Sequence, residues 1–263
     1  MGSMKISAGV DIGSTTSKAT IIKEGKVIGS SLIPSGHDMA QSAETVFEQA
    51  LKQRRLEKED INYIIATGYG RHGVLFADET VSEIACHAKG AYTSESGISV
   101  IIDVGGQDSK LIWINETGSV MDFAMNDKCA AGTGRFLDLV SGTLGLGLKE
   151  MGKISLKSHN PCTISSTCAI FAETEVVALR SRGTSREDIV AGIHQSLALR
   201  IMSMGSRRGF KKEVAFSGGV AKNVGMCRAI EEKIGFKLVL PEEPQLMGAL
   251  GAALLASERN RSK

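Results

Sequence analysis

The octapeptide Asp11-Ile-Gly-Ser-Thr-Thr-Ser-Lys18 returns 92 residues later as Asp103-Val-Gly-Gly-Gln-Asp-Ser-Lys110. A recurrence of this kind marks an internal duplication, and it decides the architecture. In each copy an apolar strand enters (6–10 and 98–102), an Asp-hydrophobic-Gly turn follows, and a second strand leaves (19–22 and 111–114). Each copy then reaches a hairpin signal, Glu24-Gly25 in one and Asn115-Glu-Thr-Gly118 in the other. Two similar lobes facing one another are the expected result.

Between the copies the pattern predicts an amphipathic helix over 41–56, a strand over 61–66, the turn Thr67-Gly-Tyr-Gly-Arg71 and a helix of small residues over 82–91. These complete lobe one, residues 4–93. Lobe two, residues 94–244, is expected to carry helices over 131–145, 170–181 and 186–208, a strand over 213–217, the turn Gly218-Gly219, a helix over 221–234 and a strand over 237–240. A last helix, 245–257, places Gly248, Ala249, Gly251, Ala252 and Ala253 at close spacing and is expected to pack back on the small-residue helix of lobe one.

Thirty glycines in 263 residues is about one in nine, against roughly 7% in ordinary proteins, and such an excess calls for backbone turns. With 42% hydrophobic and 23% charged residues, the chain can bury a sizeable core, which excludes disorder, collagen and a disulfide mini-scaffold. No apolar run approaches the roughly 18 residues that span a bilayer, and no signal-peptide pattern is present, so a cytoplasmic location without membrane contact is expected. A net charge of +2 gives no footprint for nucleic acid; the basic cluster Arg207, Arg208, Lys211 and Lys212 reads first as a solvated helix end. Met1, Gly2 and Ser3 before a second Met4 read as an expression scar.

A phosphate chain is held by backbone N–H groups only where side chains leave room, so Gly and hydroxyl residues gather at phosphate turns. Gly13, Ser14, Thr15 and Thr16 supply such donors in the first copy, and Gly105, Gly106 and Gln107 form the second turn. Asp11 and Asp103 end apolar strands and suit a hydrated Mg²⁺ that bridges phosphate oxygens. Either of them, or Gln107 or Asp108, can orient an attacking water. Lys18 either neutralises phosphate or sits on the surface. One Asp-Gly pair alone would read as a hairpin turn; two at matching positions, followed by Ser217-Gly-Gly-Val-Ala-Lys-Asn223, read as a nucleotide site, with Gly218, Gly219 and Asn223 at the adenosine and Gln245 completing the set. The absence of a Gly-x-x-x-x-Gly-Lys-Ser/Thr run excludes a Walker-type loop.

The order of these turns, closed by Gly248-Ala-Leu-Gly251, resembles the actin, sugar-kinase and heat-shock-chaperone ATPase superfamily over nearly the whole chain. The resemblance implies an α/β fold of two duplicated ribonuclease H-like lobes with a nucleotide cleft between them, binding ATP or ADP with Mg²⁺. It specifies fold rather than function.

The odd count of five cysteines, in a chain expected in the cytosol, argues against structural disulfides. Cys129 in Asn126-Asp-Lys-Cys-Ala-Ala-Gly-Thr-Gly-Arg-Phe136 and Cys168 in Ser165-Ser-Thr-Cys-Ala-Ile-Phe-Ala-Glu173 each precede an apolar-periodic helix, with Gly132 and Gly134 in the first turn of the earlier one. A thiol at a helix N-terminus meets the positive end of the macrodipole, which favours the thiolate that a metal or cluster needs. Two ligands do not complete a four-cysteine site, but a symmetric dimer supplies four. On residue chemistry alone the plainer reading, two small buried residues, leads, because neither segment has Cys-x-x-Cys spacing. Cys162 is a substitute ligand, a labile thiol or a loop residue; Cys86 and Cys227 read as packing residues. The five histidines, His37, His72, His87, His159 and His194, show no ligand spacing.

Taken together, the two cysteine segments, Thr67-Gly-Tyr-Gly-Arg71 and Asp103-Val-Gly-Gly-Gln-Asp108 resemble the activator ATPases of 2-hydroxyacyl-CoA dehydratases, a family that also covers ATPase subunits of benzoyl-CoA reductase. The resemblance implies a homodimer with one [4Fe–4S] cluster held by Cys129 and Cys168 of each copy. It implies electrons received from ferredoxin or flavodoxin and passed singly to a partner iron–sulfur dehydratase or reductase at the expense of ATP. Lowering a one-electron centre by roughly 300 mV takes about 7 kcal/mol, which nucleotide binding and hydrolysis can supply. The rival of the same fold is a small-molecule kinase of acetate or sugar type, which leaves Cys129 unexplained. A filament or chaperone ATPase needs subdomain insertions that 263 residues do not accommodate.

Overall fold

The computed structural model describes residues 5–211 and 213–261; Met1 to Met4, Lys212, Ser262 and Lys263 lie outside that range. The chain divides into two compact units, one formed by residues 5–97, 114–121 and 245–261, the other by 98–113, 122–211 and 213–244.

The first unit is built on a sheet whose strands are β1 (Ile6–Ile12), β2 (Thr16–Lys23), β3 (Lys26–Pro34), β4 (Tyr63–Thr67) and β5 (Glu79–Thr80). They lie in the order β3-β2-β1-β4-β5, with β1 antiparallel to β2 and parallel to β4. Helix α1 (Met39–Lys52) covers one face through Val46, Phe47, Ala50 and Leu51. The other face is covered by α2 (Glu83–Ser94) and by the last helix, Met247–Arg261. Burial on both faces explains why β4, Tyr63-Ile-Ile-Ala-Thr67, reads as a near-continuous apolar run. The hairpin at Glu24-Gly25 has positive φ at both residues, 53° and 78°, the primed turn that matches strand twist.

The second unit repeats the plan with β6 (Val100–Val104), β7 (Ser109–Ile114), β8 (Val120–Asn126) and β9 (Val214–Ser217), in the order β8-β7-β6-β9. Here too the first two strands are antiparallel and the first and last are parallel. Its helices are α3 (Gly134–Leu144), α4 (Leu148–Ser155), α5 (Ala169–Ser181), α6 (Arg186–Met204) and α7 (Val224–Ile234), and the helix Met247–Arg261 is α8. A single core joins Val100, Ile102, Leu111 and Phe216 of the sheet to Phe136, Val176, Ile193 and Ile230 of the helices.

Several expectations are corrected. The acidic residues do not lie in the turns: Asp11 and Asp103 are inside strands that run on to Ile12 and Val104. Residues 237–240 make no strand, only one parallel bridge from Val239 to Ala215. The helix expected after Cys129 is divided: Ala130–Gly132 forms a single 3₁₀ turn, Thr133 is extended, and α3 starts at Gly134. The interruption has a physical cause, since the amides of Gly134 and Arg135 donate to the carbonyls of Gly105 and Gly106 (2.9 and 2.8 Å). Arg207, Arg208 and Lys211 are exposed beyond the end of α6, and Arg208 pairs with Asp122 at 2.8 Å.

A buried polar chain fixes α4, α6 and α7 to one another. Asn223 caps α7 through its Oδ1 (3.0 Å from the Met226 amide), so its Nδ2 donates to His194 Nε2 at 3.2 Å. The His194 proton is thereby placed on Nδ1, which donates to Ser155 Oγ at 3.0 Å. Burial holds the His194 pKa down to about 4, against an ordinary 6.5. Between those values the unfolded chain takes up a proton that the folded chain refuses, so stability is complete above pH 6.5 and is lost as pH falls toward 4. The melting temperature is therefore expected to drop across this interval. Calorimetry showing a flat profile there would refute the assignment.

Candidate functional site

The duplication places the same pair in each sheet: Asp11 lies directly opposite Lys18, and Asp103 directly opposite Lys110. Cross-strand neighbours on one face lie close enough for their side chains to meet. Lys18 Nζ lies 3.2 Å from Asp11 Oδ2, with side-chain exposures of 13% and 5%, which removes the surface alternative for Lys18. Gly13 closes its turn by donating to the Thr16 carbonyl (3.1 Å), leaving Ser14 half-buried and Thr15 exposed at the tip.

Two glycines, Gly68 and Gly248, give the Asp11 carboxylate its room. Gly68, at φ 87°, brings bare backbone against Asp11 Oδ1, and a side chain there would also lie 2.6 Å from the Ile12 carbonyl. Gly70 donates to that same carbonyl at 2.8 Å. Gly248, in the first turn of α8, has space for no Cβ: one would sit 2.8 Å from Asp11 Oδ2 and 3.0 Å from His87 Nε2. The first turn of α8 therefore meets a carboxylate, the charge its dipole favours.

In the second unit, Asp103 is buried and accepts from Ser217 Oγ at 2.8 Å. Lys110, with a side chain 2% exposed, lies 3.5 Å from Asp103 and 2.7 Å from Asp108. Asp108 folds over Gly105, whose amide donates to the Asp108 carbonyl at 3.0 Å. Of the two neighbours that can orient a water, Asp108 is thus held to Lys110, while Gln107 is exposed. Gly106 is half-buried. Gly218, at φ 86°, lies against the Val104 carbonyl and donates to Pro244 at 2.9 Å. Gly219 is exposed at the start of the turn that leads to Asn223, whose side chain is occupied by the cap and His194. Gln245 is half-buried before α8.

The cysteines separate by environment. Cys86 and Cys227 are buried, and burial pushes their thiols up to about 12 and about 11. Cys162 is half-buried against Gly192, and burial raises its thiol too. Cys129 and Cys168 are exposed, each as the residue that opens its turn or helix. The side chain of Asn126 grips Cys129 on both sides, accepting from its amide (3.1 Å) and donating to its carbonyl (2.8 Å). Gly132 is a glycine because a Cβ would run into that same amide group, and Gly134 because one would lie 2.8 Å from the Gly105 carbonyl. The Cys168 loop is held from its own helix: Glu175 accepts from the amides of Ser165 and Ser166 at 3.0 Å. Burial raises the Glu175 carboxyl, but the amides and hydroxyls of Ser165 and Ser166 outweigh it and hold the pKa at about 2. The grip is complete above pH 4.5 and loosens only as pH falls toward 2.

The Gly105-Gly106 turn and the cysteine loop are joined by backbone hydrogen bonds. Four residues lie between Cys129 and Gly134, and Gly134 and Arg135 hang directly on Gly105 and Gly106. Sequence reasoning left Gly68, His87, Ser217, Asn126 and Glu175 unassigned. Glu175 was open to discovery, since it lies seven residues after Cys168, two helical turns along the same face. Among the described residues no group of three or more His, Cys, Asp or Glu side chains is placed to hold a metal ion, and no helix is long and apolar enough to cross a membrane.

Two sheets of one topology, each with an acid facing a lysine at the end of its first strand, define an actin-like α/β ATPase fold. The comparisons agree. The model of the BadF/BadG/BcrA/BcrD ATPase family matches residues 8–256. The 2-hydroxyisocaproyl-CoA dehydratase activator of Clostridioides difficile is 45% identical over 94% of this chain and 93% of its own. The activator of lactoyl-CoA dehydratase of Anaerotignum propionicum is 43% identical over 97% and 98%. The solved structure of the activator of 2-hydroxyisocaproyl-CoA dehydratase from Clostridium difficile, with bound ADPNP, superposes with a TM-score of 0.93 at 43% identity, covering 98% of this chain and 96% of that one. The chain belongs to the BadF/BadG/BcrA/BcrD ATPase family.

Proposed function

We propose that this ATPase is a reductive activator, which couples ATP binding and hydrolysis to the delivery of single electrons to a partner iron–sulfur enzyme, a 2-hydroxyacyl-CoA dehydratase or a related reductase. The observation that carries it is the pair of exposed thiols, Cys129 and Cys168, the first of them four intervening residues from Gly134, whose amide is bonded to the Gly105-Gly106 turn. Two thiols with no third ligand placed beside them among the described residues would make half of a four-thiolate site, and thiolates are the donors that iron–sulfur clusters take. A homodimer completes the set, with Cys129 and Cys168 of each copy as ligands. When bound, the [4Fe–4S] cluster supplies one-electron chemistry, with ferredoxin or flavodoxin as the donor.

In this reading Asp11 and Asp103 are the carboxylates that would hold the hydrated Mg²⁺ of the nucleotide, and Lys18 and Lys110 would neutralise phosphate charge. Gly13, Ser14, Thr15, Thr16, Gly105 and Gly106 offer donors to the phosphates, Gln107 orients the water, and Gly218 and Gly219 lie against the adenosine. A shift of the Gly105-Gly106 peptides on nucleotide exchange drags the amides of Gly134 and Arg135, and with them the turn that begins at Cys129.

The test is an anaerobic preparation assayed for iron, for the broad visible absorbance of a cluster, and for reduction of a partner dehydratase with and without ATP. Electron transfer that ignores nucleotide would overturn the coupling. A colourless, iron-free protein that phosphorylates a small acceptor would favour the kinase of the same fold.

A further inference from the structure

One side chain ties the two cysteine loops together. Arg200, near the end of α6, donates through one terminal nitrogen to the carbonyl of Ala131 (3.2 Å) and through the other to the carbonyl of Ser166 (2.6 Å). The first carbonyl lies two residues after Cys129 and the second two residues before Cys168. Its guanidinium also lies over the ring of Phe136, 5.4 Å from the centroid, and that ring is fully buried. Packing thus fixes the fork at its stem, and its planar geometry fixes the separation of the two carbonyls. The guanidinium is partly desolvated, and the groups whose charge it faces are Cys129 and Cys168.

We propose that Arg200 is the positioning residue of the cluster site: it sets the spacing of the two cysteine loops within a protomer and supplies a fixed positive charge beside the thiolates. The inference rests on the cluster reading above and deepens it. A four-thiolate cluster becomes more negative by one charge when reduced, and a nearby cation favours the more negative form, by the logic that moves a pKa. Charge and hydrogen bonding around the sulfurs are established levers on cluster potential. Lys at position 200 would keep the charge but, as a single ammonium on a flexible stem, would not hold two carbonyls at once.

The test compares wild type with Arg200→Met and Arg200→Lys, each purified anaerobically as the homodimer. The midpoint potential is read by redox titration of the cluster's EPR signal, and iron retention by the rate of extraction with a chelator. Arg200→Met is expected to lower the fraction reduced at a fixed donor potential about tenfold, a midpoint about 59 mV more negative, and to release iron roughly tenfold faster. Arg200→Lys is expected to return the midpoint toward wild type while still losing iron quickly. A wild-type midpoint and wild-type extraction rate in Arg200→Met overturn the assignment and leave the cluster reading standing. Should that variant fail to fold, Arg200→Lys decides alone: extraction at the wild-type rate overturns the clamp. Wild-type protein that takes up no iron overturns the cluster reading, and this inference with it.

Discussion

Replacing Cys129 or Cys168 with Ser is expected to abolish iron binding and electron delivery entirely, at almost no cost in stability. Both side chains are exposed, so the change of sulfur to oxygen leaves no cavity and no orphaned polar atom in the core. The loops remain gripped by bonds that do not involve the thiols: Asn126 on the backbone of Cys129, Glu175 on Ser165 and Ser166, and Arg200 on both loops. Serine is a poor ligand for iron at neutral pH because its hydroxyl stays protonated where a thiol ionises. In the proposed dimeric site, one missing ligand per chain removes two. Iron content, visible absorbance and partner reduction should fall to background while the melting temperature changes by no more than a degree or two. The controls separate role from residue type: Cys86→Ser and Cys227→Ser, both buried, should keep iron and lose stability. A Cys129→Ser protein that retains its full iron content would end the ligand assignment.

Gly251→Val is expected to prevent the first unit from folding. Helices α2 and α8 approach each other with backbone against backbone: a Cβ on Gly251 would fall inside the carbonyl of Cys86, and one on Gly90 inside that of Met247. Strand β1 meets α8 in the same way, since a Cβ on Gly9 would overlap the carbonyl of Ala249. A clash with a flexible side-chain tip is relieved by rotation, but here the obstacle is main chain already committed to a helix. The helices would have to separate, exposing Ile65, Cys86, Ala252 and Ala256. Overpacking a core by a few methyl groups costs about 1–3 kcal/mol where side chains can adjust. Here they cannot, and a penalty on the order of 5 kcal/mol reaches the total stability of an ordinary domain. The expected result is insoluble protein or a cooperative transition lost at ambient temperature. Gly142→Ala is the matched control. It lies within α3 with no atom near the position of its Cβ, so it should stabilise by about 0.5–1 kcal/mol. Circular dichroism melts of the two variants distinguish the outcomes.

The ATPase fold was legible because it is encoded twice. A duplicated Asp-to-Lys octapeptide predicts the same turn between two strands twice, and the structure repeats one register, Asp11 against Lys18 and Asp103 against Lys110. What the pattern concealed was short or exposed. Strand β8 shows outward-facing Met121, Phe123 and Met125, so its hydrophobicity reports no core face, and α4 has only eight residues. The true start of α3 was hidden for another reason: its first amides are consumed by Gly105 and Gly106, roughly thirty positions earlier, and no local propensity encodes that.

The same division holds for chemistry. Which residue types could act was written locally, as glycines and hydroxyls at phosphate turns, acids at strand ends and thiols opening helices. Which of them are exposed and which are buried was decided by distant partners. Cys86, Cys162 and Cys227 differ from Cys129 and Cys168 only in what surrounds them. Gly248 reads as a packing residue in its own helix, yet it is the wall of the Asp11 pocket. Arg200 is a lone cation in an apolar-periodic helix, 69 residues from Ala131 and 34 from Ser166. Periodicity and turn chemistry act over a few residues, so the chain alone could announce two thiols and two acidic turns; only three-dimensional packing, which disregards sequence distance, could fasten the Cys129 loop to the Gly105-Gly106 turn and join it through Arg200 to the Cys168 loop.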